Sequence, residues 1–313
     1  MNDKIILRAL KDSDIAEHAG MLYSSFNAWY WKRGWGKDYF GCHPQETSIF
    51  YDIYNDLTPG HSIAAFDRAS NRMMGSCFYH PREHHVSLGI MAVHPDCGGL
   101  GVGRKLVSHI LDYTKNNDYK SCRLVSSAIN MDSFSLYNRA GFIPRVTYQD
   151  MVINVPENGI DKVCVVGDER VRKAVIDDIK KMGELEMEIS GIRREMDYRY
   201  AIENPRDVLH AIVYENDQKY LDGFMISVKH PALNMLGPCV ARTEEIAIAL
   251  ISKEIERFKG TWVLFCIPMD KRKMVEQMYA FSAMNVETHL KEVWGEFSGF
   301  NGISMPSFLP ETG

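Results

Sequence analysis

Apolar positions along this chain follow two rhythms. KIILRAL (4–10) and CRLVSSAI (122–129) are short apolar runs of the kind that form buried strands. DSDIAEHAGMLYSSF (12–26) instead opens on capping-type residues and then spaces its apolar positions for a helix. HPQETSIFYDIYNDL (43–57) predicts a second helix, and SIAAFDRASNRMMGSCFYH (62–80) a hairpin with DRASNR as its polar turn. HHVSLGIMAVHP (84–95) predicts a strand ended by Pro95, which cannot donate to a ladder. In RKLVSHILDYTKNN (104–117), Leu106, Val107, Ile110 and Leu111 share a helical face. MDSFSLYNRA (131–140) predicts a short helix, with Gly141 as its stop. The order βααβββαβα, with a strand after it, predicts an α/β fold built on a mixed sheet flanked by helices.

VPENGIDK (155–162) has linker composition, and beyond it the rhythm returns. HAIVYENDQKYLDGFMISV (210–228) repeats the hairpin, and NMLGPCV (234–240) stands where HVSLGIMAV stood. TEEIAIALISKEIERFKG (243–260) repeats the long helix, TWVLFCIP (261–268) the strand, and DKRKMVEQMYAFSAM (270–284) the short helix. An internal duplication follows, with domains at 1–155 and 163–313, the second copy lacking the loop before its helix. KKMGELEMEISGIRREMD (180–197) mixes charges at helical spacing and is expected to be a solvated face.

Length and charge narrow the class. The 313 residues suit two domains of roughly 150 each. A net charge of -5 gives no general attraction to nucleic acid or to an anionic membrane, so neither is an expected partner. The seven cysteines form no CxxC, and several sit in apolar runs, as expected of reduced thiols in a cytoplasmic protein. No apolar run has the length of a membrane span or the pattern of a signal peptide. The final LPETG matches a sortase sorting motif but lacks the apolar span and basic tail that would follow it. It is read as chance or an added tag.

HPDCGGLGVGRKL (94–106) raises the chemical question, with glycines at 98, 99, 101 and 103. Those positions contain no G-x-G-x-x-G register for a dinucleotide. Gly98 to Gly103 has triphosphate-loop spacing, but Arg104-Lys105-Leu106 follows, without a hydroxyl for magnesium. A strand, a turn and glycines opening a helix do make an anion site from backbone amides and the helix dipole. A glycine turn that only packs helix on sheet remains open at this point.

Flanking residues add a resemblance. V-H-P-D-x-x-G-x-G-x-G before R-K-L resembles the pyrophosphate-binding motif of the GNAT acetyltransferase superfamily. N-x-x-S-x-x-x-Y-x-x-x-G-F (Asn130, Ser133, Tyr137, Gly141, Phe142) resembles its next motif, where alanine is usual in place of serine. The resemblance covers roughly residues 4 to 150 and implies acetyl-coenzyme A as cofactor. It also implies two tandem domains, each a mixed, mostly antiparallel twisted sheet, the second degenerate. The cofactor then maps onto Met91, Ala92 and Val93, and onto Gly98, Gly99, Leu100, Gly101, Val102, Gly103, Arg104 and Lys105. Ser133 belongs to the same motif. Asn130 would contact the pantetheine arm or serve as a plain helix cap. Gly98 departs from the Gln or Arg usual there, which removes a side chain and leaves the amide.

Acyl transfer to an amine needs a proton donor for the leaving thiolate and an acceptor for the amine's proton. Tyr137 matches the family's general acid. Ser87 stands where many members carry a basic glutamate, so His85 and Glu83 become the candidate bases, His85 the better for its near-neutral pKa. Spacing of His80, His84 and His85 supports no metal site. Trp29, Trp31 and Trp35 crowd the segment that lines the family's acceptor site. Equally, they could cover the sheet or face the second domain, and Lys32, Arg33 and Lys37 suit an acidic acceptor instead. The expected activity is N-acetylation of a small-molecule primary amine by direct attack in a ternary complex, by a monomer or homodimer. The alternatives are a protein or peptide N-acetyltransferase and a non-catalytic coenzyme A sensor. The second domain, with LGPCVAR (236–242) in place of a loop, is expected to close the acceptor pocket or bury the first domain's open face.

Overall fold

The computed structural model describes residues 4–160 and 165–310. Cys164, the end of the expected linker (161–162) and the last three residues of LPETG lie outside the described residues. The first half runs β1 (Ile5–Ala9), α1 (Ile15–Trp31), α2 (Ser48–Leu57), β2 (Ser62–Asp67), β3 (Met73–Pro81), β4 (His85–Val93), α3 (Val102–Asn116), β5 (Ser121–Ser127), α4 (Met131–Arg139) and β6 (Ile143–Asn154). The second runs β7 (Val171–Lys173), α5 (Ile179–Ser190), α6 (Glu195–Glu203), β8 (Leu209–Glu215), β9 (Leu221–His230), β10 (Leu233–Ala241), α7 (Glu244–Ile255), β11 (Trp262–Pro268), α8 (Arg272–Ala280), β12 (Met284–Gly295) and β13 (Ile303–Met305). Every strand and helix read from the apolar rhythm is present, and the second half repeats the first from β8 to α8.

The two sheets join by exchange. Strand order is β1-β2-β3-β4-β5-β12-β6-β11-β10-β9-β8-β7, with β13 on β10. Thus β12 of the second half lies between β5 and β6 of the first, and β6 pairs with β11 of the second. Among the described residues, only β4–β5 and β10–β11 are parallel. Three apolar cores follow from this. One lies under α3 and holds Val102, Leu106 and Ile110 against Val86, Cys122 and Leu124. A second lies under α7 and includes Met151 and Ile153 from the exchanged β6. The third, on the opposite face, is common to both halves and joins Leu22, Phe50 and Tyr54 with Leu185, Ile189 and Tyr198.

The charged segment 180–197 is not a solvated face. Gly191, at φ +67, ends α5, and the turn directs charge inward. Glu186 is fully buried, taking hydrogen bonds from Arg194 and the Tyr198 hydroxyl. Asp197 receives Arg82 of the first half at 3.0 and 2.5 Å. Buried charges persist only when paired and hydrogen-bonded: Glu186 is paired within the second half, and Asp197 is paired across the halves. Charge content marked the segment as exposed because pairing partners are not written in the local sequence.

Candidate active site

The site begins where β4 and β5 part. They pair only at His85–Ser121, Val86–Cys122 and Ser87–Arg123. Beyond that, β4 bulges at Gly89–Ile90 against β3, which turns its remaining residues away from β5. Gly89 is required there, since a Cβ would meet Tyr54, Phe78 and His80 at 3.0 to 3.3 Å. Met91, Ala92 and Val93 keep their pairing to β3 and present their other edge to the opening. A cavity of 1480 Å³ fills the fork and extends to the exchanged strand.

The glycine loop closes one end of it. Pro95–Cys97 makes a single turn capped by His94, which accepts the Asp96 amide at 3.2 Å. Gly99 (φ +76) and Gly101 (φ +85) occupy the left-handed region that side chains resist. Gly101 is the N-cap of α3, whose first turn leaves the amides of Val102, Gly103 and Arg104 without intrahelical acceptors. Gly103 has a different reason: its Cβ would press Leu136 of α4 at 3.0 Å. Unpaired amides and a packing turn therefore coexist in one loop. Arg104 is exposed at the cavity wall, but Lys105 donates its ammonium to the Ile5 carbonyl at 2.5 Å. Lys105 thereby ties α3 to β1 while still lining the cavity.

Tyr137 is buried in α4 and lines the cavity, with Phe142 edge-on at 5.8 Å. Asn130 and Ser133 line it too, and the Asn130 side chain caps α4 by accepting the Ser133 amide at 3.2 Å. Trp29 reaches the wall, with the Arg33 guanidinium 3.6 Å above its ring. The other two tryptophans are not among the cavity-lining residues. Trp31 is 51% exposed and donates to Asp38, while Trp35 packs on Tyr30.

Neither expected base reaches the cavity. His85 is fully buried at the closed end of the fork, bonded to Ser87 at 3.1 Å. Burial, followed by the charges of Arg123, Arg194, Arg82 and Lys291, holds its pKa well below the usual value. Glu83 pairs with His84 at 3.4 Å and borders a separate 470 Å³ cavity. Sequence reasoning missed the groups that do stand at the acceptor end: Tyr30, Ser127 and His289 line it. Glu287 lies behind them, accepting the Tyr30 hydroxyl at 2.5 Å and also the Ser127 hydroxyl. Asp150 of β6 faces His289 at 3.4 Å, and burial, then Glu287, pushes its pKa well up. Burial likewise raises Glu287 and lowers His289 to about 3. The Cys266 sulfur lies within 4.8 Å of ligand atoms of both Asp150 and His289, a trio of metal-ligand type that is entirely buried. A signal was present: Glu287, His289 and Lys291 alternate along one strand, polar residues facing inward.

The acetyltransferase (GNAT) family model matches residues 26–142, and an acetyltransferase (GNAT) domain model matches residues 182–291. The chain belongs to the GNAT acetyltransferase family. It is a tandem-domain member. A Pyrococcus horikoshii protein proposed to be an acetyltransferase has a similar structure (TM-score 0.73, 15% identity, 98% of this chain and 96% of that one). So has a tandem GNAT protein from the clavulanic acid biosynthesis pathway (TM-score 0.60, 13% identity, 93% and 98%). At such identities the likeness concerns the fold. The UPF0157 protein YqkA of Bacillus subtilis is 30% identical over 87 residues, 28% of this chain and 25% of that protein. The match thus spans a quarter of that curated relative's length.

The second GNAT domain has the same fork, closed. β10 pairs with β11 only at Met235 and Leu236, then bulges at Gly237–Pro238. Its freed edge, Cys239 to Ala241, is taken by Met305, Ser304 and Ile303 of β13. α7 follows at once, capped by Thr243, whose hydroxyl accepts the Ile246 amide at 3.4 Å.

Proposed function

We propose that the protein transfers the acetyl group of acetyl-coenzyme A to the primary amine of a small molecule, by direct attack in a ternary complex. The observation that carries this reading is the open fork: an unpaired strand edge leads from an amide-rich glycine loop to an enclosed acceptor end. The residues present fit such a cofactor. Free amides of α3's first turn and Arg104 suit a pyrophosphate, and the edge of Met91 to Val93 suits the amides of a pantetheine arm. When bound, acetyl-coenzyme A supplies an activated thioester. Tyr137, in the cavity wall, gives the proton that the departing sulfur needs. The acceptor end is walled by Tyr30, Tyr39, Leu233 and Phe308, drawn from both halves, which favours a small acceptor over an extended peptide. The six described cysteines are free thiols, which suits a reducing, cytoplasmic setting. Among the described residues, no helix is long and apolar enough to cross a membrane.

The test is thiol release from acetyl-coenzyme A against a panel of small amines and peptides, with the acetylated product confirmed by mass. Turnover with small amines is expected. Tight cofactor binding without turnover would leave only a sensor, and absence of binding would overturn the reading altogether.

A further inference from the structure

The first domain's cavity ends on a strand of the second domain. β12 lies against β5, with His289 opposite Ser127 in register. Ser127 ends the limb of the fork that faces the Met91–Val93 edge, and its hydroxyl donates to Glu287. The Tyr30 hydroxyl, from α1, donates to the other carboxylate oxygen at 2.5 Å. Each hydroxyl has spent its proton on Glu287, so each offers the cavity only lone pairs. A ligand that meets this wall must bring donors.

Charge points the same way. Glu287 is 9% exposed, and the groups that act on it are Tyr30 on α1, Ser127 on β5 and Asp150 on β6. None is a lysine or arginine, and the partners of Glu287 among the described residues are the two hydroxyls. Two nearby carboxyls in one dry site do not both ionise. Two O–H donors favour the charged form of Glu287 against the burial that raises its pKa, while Asp150 has an oxygen with no hydrogen-bond partner. That leaves a single buried carboxylate without a counter-charge, costly until a cation arrives. Around it stand Tyr30, Tyr39, Phe40 and Phe308, apolar rings suited to the body of the same ligand.

We propose that the acceptor is an ammonium carried on an apolar or aromatic body, and that its proton passes through the Ser127 or Tyr30 hydroxyl to Glu287, a proton acceptor contributed by the second domain. This rests on the acetyl-transfer reading above. The ammonium gives one proton to a hydroxyl oxygen as that hydroxyl's own proton moves to Glu287, leaving a neutral amine. The nitrogen then bonds to the acetyl carbon and the carbon–sulfur bond breaks. The sulfur takes a proton from Tyr137, which is restored by the second proton that the nitrogen loses. Amide, free thiol and one proton on Glu287 result, and that proton leaves to solvent. Glu287 acts through the hydroxyls and is in that sense a positioning residue.

The test compares the full-length wild type with Glu287→Gln, Glu287→Asp, Ser127→Ala and Tyr30→Phe, measuring kcat and KM against pH and coenzyme A binding by calorimetry. Wild-type turnover comes first, because its absence sinks the acetyl-transfer reading and not this assignment. Glu287→Gln is expected to lower kcat about 10²- to 10⁴-fold and to abolish the acidic limb of the pH profile, with coenzyme A affinity kept. Glu287→Asp should restore part of both, and Ser127→Ala or Tyr30→Phe should each fall between. Full kcat in Glu287→Gln overturns the proposal. So does a loss accompanied by an unchanged pH profile, which would mark a structural role. Should Glu287→Gln fail to fold, the two hydroxyl variants decide: unaltered kcat and acidic limb in both would overturn it.

Discussion

The two forks of this molecule are the same structure put to opposite uses. In the first domain β4 bulges at Gly89–Ile90 and its edge stays open to a 1480 Å³ cavity. In the second, β10 bulges at Gly237–Pro238 and its edge is covered by β13, so close that a Cβ on Gly237 would strike the Pro306 carbonyl. An unpaired strand edge must be satisfied by something. The first domain leaves that edge open, and the second fills it with its own chain. The chemistry differs in step. Phe142 bonds back to Tyr137 and Ala283 to Met278, which places a thioether in the second domain where the first has a phenol. The second domain has its corresponding edge covered and, through β12, furnishes a wall of the first.

Tyr137→Phe breaks the comparison most directly, making the first fork like the second in its missing proton donor. A fall in kcat of about 10²- to 10³-fold is expected, with coenzyme A affinity within a few-fold of wild type. Steady-state kinetics beside calorimetry checks this, and an unchanged kcat would assign the proton to another group. A smaller effect follows from giving the first loop the second domain's cap. Gly101→Thr places a β-branched residue at φ +85, where Thr243 sits at φ -136. Left-handed backbone costs a side chain about 1–2 kcal/mol. The loop should relax away from its amide-presenting shape, weakening coenzyme A about tenfold or more while the domain stays folded by circular dichroism.

How much of this was legible depends on how local each feature is. β4, the glycine loop, α3 and the Asn130–Tyr137 motif are continuous stretches whose periodicity and glycines carry their own explanation. His85 misled because its neighbours in space, Arg123, Arg194 and Lys291, come from three distant segments and lock it at the closed end of the fork. The bond from Lys105 to β1, a hundred residues earlier, was not legible for the same reason. Strand exchange was invisible for the same reason. A duplicated pattern says that two similar sheets form, while the choice of β12 rather than β6 beside β5 depends on long-range pairing. Glu287 became a site residue only through that choice.

Acid stability tests the buried histidines on both sides of this comparison. His18, His80, His85 and His289 are buried, and burial depresses each, His18 to about 4 and His289 to about 3. A histidine neutral when folded binds its proton only on unfolding, so its contribution is present above pH 6.5 and is lost as pH falls toward the folded value. Asp150, Glu287 and Glu292, the last raised to about 7, work in the opposite sense, since their extra stability fades as pH rises. The histidines outnumber them. Urea midpoints should therefore drop between pH 6.5 and 5, by about 1.4 kcal/mol per pH unit for each uncompensated proton. His18→Gln should flatten the slope, and a midpoint independent of pH would mean that the carboxyls fully offset the histidines or that the histidines are already protonated in the folded chain.

The smallest effect is expected at Gly98. Unlike Gly99 and Gly101 it has ordinary backbone angles, φ -59 and ψ 140, and a Cβ there would find only the Pro95 carbonyl at 3.8 Å. Nothing in the fold requires glycine, so Gly98→Gln should leave the melting temperature unchanged. A glutamine amide at the loop's entrance adds one donor to whatever anion the loop holds. An exposed hydrogen bond to a charged group is worth about 1 kcal/mol, so coenzyme A should bind about fivefold tighter. Calorimetric titration with coenzyme A reads this directly. An unchanged affinity would sharpen the contrast between the forks further. It would mean that backbone amides alone do the binding, and that the second domain lost its site by losing a loop, whatever side chains that loop once carried.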